Sequence, residues 1–93
     1  MSRFEWRMTV VDKMGIPRHS FLHIKDNTLL FWGILFPDID EIFYSPYIFK
    51  PDRTGYITIK EKLSLQDAKD AVENKLFDDG IIQEGDEVVD DTK

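Results

Sequence analysis

Seven of the eight residues in Leu29-Leu30-Phe31-Trp32-Gly33-Ile34-Leu35-Phe36 are large and apolar, and the chain has no comparable run. A segment of this kind has to sit largely inside a fold. It is far short of the roughly 20 residues that a membrane helix needs. Periodicity alone does not separate a buried strand from a buried helix over so few residues. Two neighbours decide it. Gly33 costs about 1 kcal/mol inside a helix, and Asp26-Asn27 just upstream both tolerate positive φ, as the centre of a two-residue hairpin requires. A strand over about 28–36 is therefore expected. Its apolar residues fall on both faces, so either both sides are covered or one is presented to a partner. Trp32 discriminates: buried it is core, exposed it marks an interface.

The strand before it follows the same logic. Leu22 and Ile24 alternate with His19, Phe21 and His23, giving a strand over about 18–25. Phe4, Trp6, Met8 and Val10 alternate with Arg3, Glu5, Arg7 and Thr9 in another, over about 3–11. Gly15 and Pro17 punctuate the turn between them.

Downstream, Pro37 ends the apolar run. Asp38 with Glu41 three residues on forms a capping-box arrangement. Ile39, Ile42 and Phe43 then predict a short helix over 39–44, placed to cover the second face of the preceding strand. Short strands are expected over 47–50 and 55–60, with Ile57 and Ile59 pointing inward. Ser64 is the N-cap of the main helix, over 65–79, whose Leu65, Ala68, Val72 and Leu76 form one apolar stripe. Gly80 suits the position that stops it, with Leu76 able to touch Ile81.

The fold class read from these elements is α+β: a small antiparallel sheet of four to five strands with a short helix, one main helix and an acidic tail. Residues 1–82 form a single domain and 83–93, acid-rich and without an aromatic, read as a disordered tail.

Charge bears on function. The net charge is −6, and it is uneven: nine Lys and Arg stand against eight Asp and Glu through Lys62, then three against ten from Leu63 onward. Direct binding to nucleic acid or to an anionic membrane is not expected of such a chain. Cysteine is absent, which excludes disulfides and thiol chemistry and fits a cytoplasmic protein. The first eight residues lack the apolar core of a secretory leader.

Catalytic patterns are weak. His19 and His23 have the spacing of two helical metal ligands, but in a strand four residues span roughly 13 Å, too far to share an ion. Asp38, Asp40 and Glu41 are oxygen donors suited to a hard cation, yet helix capping explains them without one. The acid-x-Lys units Asp67-x-Lys69 and Glu73-x-Lys75 lie on the helix, where a nuclease pattern would need a strand. Lys50, Arg53, Lys60 and Lys62 interleave with Tyr44, Tyr47, Phe49 and Tyr56 as in single-strand binders, against the overall acidity. No cofactor, no metal and no enzymatic activity are expected.

The main helix carries the most specific feature. Asp67, Asp70, Glu73, Asn74, Phe77 and Asp78 fall opposite its apolar stripe, with Asp79 following. Phe77 is then either an aromatic anchor ringed by carboxylates or a core residue covered by Ile82. The first reading gives a small non-enzymatic regulator or inhibitor, occupying a basic and possibly nucleic-acid-binding surface of another protein. Phage-encoded inhibitors of host or defence complexes share this compositional profile. Alternatives are a homo-oligomeric assembly subunit that self-associates through the apolar strand or a sheet edge, and a metal-dependent enzyme.

Overall fold

The computed structural model describes residues 2–10, 13–39, 42–59 and 62–93. Six strands and one helix follow in the order β1 (Arg3–Val10), β2 (Pro17–Lys25), β3 (Thr28–Pro37), β4 (Tyr44–Phe49), β5 (Tyr56–Thr58), α1 (Leu65–Asp78) and β6 (Glu87–Asp90). They make an α+β fold with one sheet in the order β5-β4-β3-β2-β1-β6. The first five strands run antiparallel to their neighbours, while β6 lies parallel to β1, so the sheet is mixed.

The apolar run is strand β3, near the middle of the sheet, and the hairpin before it forms as the residues require. Asp26 and Asn27 have φ of 51° and 65° and join Lys25 to its partner Thr28, the two positive φ values of a tight hairpin loop. A register shift opposite Phe21 and Leu22 leaves Trp32 as the bulged residue.

Residues paired across the strands share a face. Phe4, Trp6, Phe21, Leu35 and Ile48 form one side of the core, and Ala68, Val72 and Leu76 of α1 pack onto them. Gly33 lies on this side. A Cβ there would stand 2.9 Å from Val72 Cγ1, so the glycine permits the close approach of α1. Ser64 caps the helix, its Oγ accepting from Asp67 N–H at 3.2 Å. At the other end Gly80 has φ +76°, and both Ile81 and Ile82 N–H donate to Leu76 O. The chain thereby turns back and Ile82 enters the core.

Three expectations need correction. The residues from Gln83 do not form a disordered tail: Val88 and Val89 pair with Phe4 and Glu5 in β6. Asp86 fixes the start of that strand, accepting from Ser2 N–H and Gln83 N–H at 2.9 Å each. The missed signal was the β-branched Val88-Val89 pair, outweighed by surrounding acids.

The short helix over 39–44 is not seen. Asp40 and Glu41 lie outside the described residues, but Ile42 and Phe43 form a bend, Tyr44 already belongs to β4, and Asp38 N–H donates to Phe43 O at 2.8 Å. Ile39, Ile42 and Phe43 are exposed. Finally, β5 spans only Tyr56–Thr58; Ile57 is exposed and Ile59 packs partly against the core. Val11 and Lys60, at the ends of two expected strands, lie outside the described residues.

Candidate interaction surfaces

The outer face of α1 carries most of the anticipated residues. Ala68, Lys69, Val72 and Leu76 are buried, which turns Asp67, Asp70, Asn74, Phe77 and Asp78 outward, all exposed. Phe77 keeps 48% of its surface in water. Asp70 accepts from Gln66 Nε2 at 3.0 Å, one turn earlier.

Two of the anticipated acids behave differently. Glu73 is half-buried and accepts from the Trp6 indole Nε1 at 3.2 Å. Burial raises its pKa above the ordinary glutamate value, so it belongs to the support of Trp6 and not to an open acidic face. Asp79 is the C-cap, its Oδ1 3.1 Å from Lys75 Nζ. That lysine offsets a carboxylate at the negative end of the helix dipole.

A second surface lies on the sheet face turned away from α1. Pairing places Phe31, Ile34, Phe36, Tyr47, Phe49 and Tyr56 on it. Phe36, Tyr47 and Tyr56 form a continuous aromatic row, with ring centroids 5.0 and 4.9 Å apart. Phe31, Ile34 and Phe49 line a hollow of about 300 Å³ together with Val10. Arginines edge the same area. The Arg53 guanidinium stands 4.3 Å from the Trp32 ring centroid and 5.9 Å from that of Phe49, and it donates to Phe31 O. Arg18 lies 5.6 Å from the Phe36 ring centroid. Such stacking is a favoured use of a planar guanidinium. Trp32 itself is buried and belongs to the core. Among the described residues of β3, β4 and β5, no carboxylate lies on this face.

Toward the β1–β6 edge the same side becomes charged. Glu5 is 3% exposed, with Oε1 2.7 Å from Arg3 Nε and Oε2 2.5 Å from Arg7 Nε. The two guanidiniums hold its carboxyl below the ordinary range against the opposing effect of burial. Arg3 also reaches Glu87 at 2.6 Å. Of these ion pairs only Arg3–Glu87 joins β1 to the edge strand β6, and both of its side chains are about half exposed.

The histidines serve packing. His23 stacks on Phe4 with centroids 4.6 Å apart, and His19 meets Tyr44 edge-on at 5.8 Å. Burial, with the Lys69 charge, lowers the His19 pKa, favouring the neutral ring. Among the described residues no three His, Asp or Glu side chains gather as a metal would need; Asp40 and Glu41 lie outside them. No helix among the described residues is long and apolar enough to cross a membrane.

Sequence reasoning missed the burial of Lys69, although a helical wheel places it about 20° beyond Leu76, at the border of the apolar stripe. It also missed the separation of the two surfaces, because which side α1 covers depends on tertiary packing. No family model, curated protein or solved structure matches this chain.

Proposed function

We propose that the chain is a small, cytoplasmic, non-enzymatic binding protein that docks on a basic surface of another protein through the outer face of α1. The carrying observation is Phe77, nearly half exposed on a helix whose other large apolar side chains turn inward. Folding gains little from a ring left in water, whereas a partner pocket recovers that area and makes it an anchor. Asp70, two turns earlier on the same face, and Asp78, next to it in the chain, flank it, and with Asp67 at the start of the helix they supply the long-range attraction that steers encounter with a cationic surface. Residues one helical turn apart, such as Asp67 and Asp70, have Cβ atoms about 5–6 Å from each other. That spacing suits a surface which otherwise receives phosphates, and a nucleic-acid-handling partner is the sharper form of the proposal.

Immobilised wild type, Phe77→Ala and Asp70→Lys are to be exposed to native lysate in parallel. The expected result is a basic protein retained by wild type alone, released by salt and displaced by added DNA. Equal retention by all three, or retention indifferent to salt, would overturn the reading.

A further inference from the structure

The chain carries its own complement. On one side of the sheet α1 presents a single exposed aromatic ring, Phe77, on an outer face that also carries Asp67, Asp70 and Asp78. On the other side an apolar hollow, lined by Val10, Phe31, Ile34 and Phe49, has Arg53 at its margin. We propose that the open sheet face of one copy receives the α1 outer face of a second copy in a head-to-tail contact.

Chemistry and placement both support this. Interface cores are enriched in aromatic residues and arginine and depleted in lysine and carboxylates, and the β3–β5 part of this face has that make-up. An anchor ring needs an apolar receptacle; carboxylates beside the ring need cations beside the receptacle. Arg53 provides one, held against the Trp32 ring and so costing little further ordering on contact. Facing its own copy across a two-fold centred on the hollow, the same surface would set arginine against arginine. Docked on α1 it meets acids instead.

The two surfaces lie on opposite sides of one sheet, so the contact cannot satisfy both within a pair. Each dimer keeps one free helix face and one free sheet face, which is the condition for growth into a ring or an open chain of copies. The net charge of −6 on every copy opposes this growth at long range. A single-anchor contact of this kind is expected to associate over roughly 10 μM to 1 mM.

The inference rests on the reading of the α1 face as a docking surface, and sedimentation velocity of the full chain tests it separately. Wild type is expected to gain mass with concentration beyond a dimer, while Phe77→Ala and Arg53→Glu each stay monomeric. The decisive sample is their mixture. Phe77→Ala retains a working sheet face and Arg53→Glu a working helix face, so together they should form one dimer and stop. Arg53→Gln serves in place of Arg53→Glu if the latter loses cooperative unfolding. Wild type that stays monomeric at 1 mM overturns the inference and leaves the α1 reading to stand or fall by partner capture. A wild-type species that stops at a dimer, abolished by Arg53→Glu but not by Phe77→Ala, would overturn it in favour of a symmetric contact. A monomer whose Arg53 side binds an oligothymidylate of 12 nucleotides would overturn it in favour of a single strand.

Discussion

Lys69 crosses from the buried side of α1 to the last strand, its Nζ 2.7 Å from Asp90 Oδ2 and 2.6 Å from Thr92 Oγ1. The lysine is 3% exposed, and its ammonium also lies 5.8 Å from the Trp6 ring centroid. A charge this far inside is tolerated only when paired, and removing one partner strands the other. Lys69→Met should therefore destabilise the domain by about 3 kcal/mol and loosen β6 first. Urea unfolding measures the loss, and faster amide exchange at Val88 and Val89 than at Phe21 locates it. Uniform exchange across both would show that the ion pair does not secure β6 in particular.

The same pair sets an acid limit. Burial pushes the Asp90 pKa up, but hydrogen bonds from Lys69 and Thr92 outweigh it and leave the carboxyl below its ordinary value. A depressed folded-state pKa gives stability that is present above the unfolded aspartate pKa and lost as pH falls through the folded one. Unfolding followed from pH 6 downward should show wild type losing stability in that acid window. In Lys69→Met this contribution should be gone, so its curve should be flatter there.

Glu73 acts in the opposite sense. Its pKa is raised, chiefly by burial, so the protonated form suits the fold better. The stability that this contributes is complete below the unfolded glutamate pKa and lost as pH rises through the folded value. Glu73→Gln keeps an oxygen to accept from Trp6 Nε1 without a charge to desolvate. It should match wild type near pH 4 and exceed it at pH 7 by less than about 1 kcal/mol, the half-exposed carboxylate being partly screened by water. Thermal melts at the two pH values check this, and a variant weaker at pH 7 would show that the charge is needed.

What could be read from the residues, and what could not, divides along a physical line. Asp26-Asn27 specified its hairpin because positive φ is a local demand. Ser64, Leu65, Ala68, Val72, Leu76 and Gly80 specified α1 through caps and a 3.6-residue period. Neither signal depends on the rest of the fold. The acid-rich segment after Gln83 failed because β6 is held by distant partners: Ser2, β1 and Lys69. Glu73 failed similarly, since its place on the wheel borders the polar arc and only the Trp6 indole draws it in. The open aromatic face was half visible, as one unassigned side of the apolar run, but its arginines come from β2 and from the turn between β4 and β5, far apart in sequence.

Gly33 disfavours a helix, and the structure gives it a more specific role. A Cβ at this position would lie 2.9 Å from Val72 Cγ1 and 3.6 Å from Phe21 Cβ. Val72 is β-branched within a helix, so its rotamer has little freedom to yield. Gly33→Ala should cost about 1–3 kcal/mol through overpacking. The double variant with Val72→Ala should be less destabilised than the sum of the two singles, because the added methyl then fills space that the valine leaves. An additive cycle would place the cost of Gly33→Ala in the β3 backbone instead.

Phe77 separates binding from folding. Leu76, its neighbour in the chain, is 1% exposed, whereas Phe77 is 48% exposed, so two adjacent apolar residues have opposite consequences when truncated. Leu76→Ala removes core contacts and should cost about 2–5 kcal/mol. Phe77→Ala removes a ring already half in water, and alanine is the better helix former by several tenths of a kcal/mol. Its stability should lie within about 1 kcal/mol of wild type, with cooperative urea unfolding retained. Loss of both partner retention and self-association in such a well-folded variant would assign the ring to recognition. Loss of cooperative unfolding would instead make Phe77 part of the support for the turn at Gly80 and end its candidacy as an anchor.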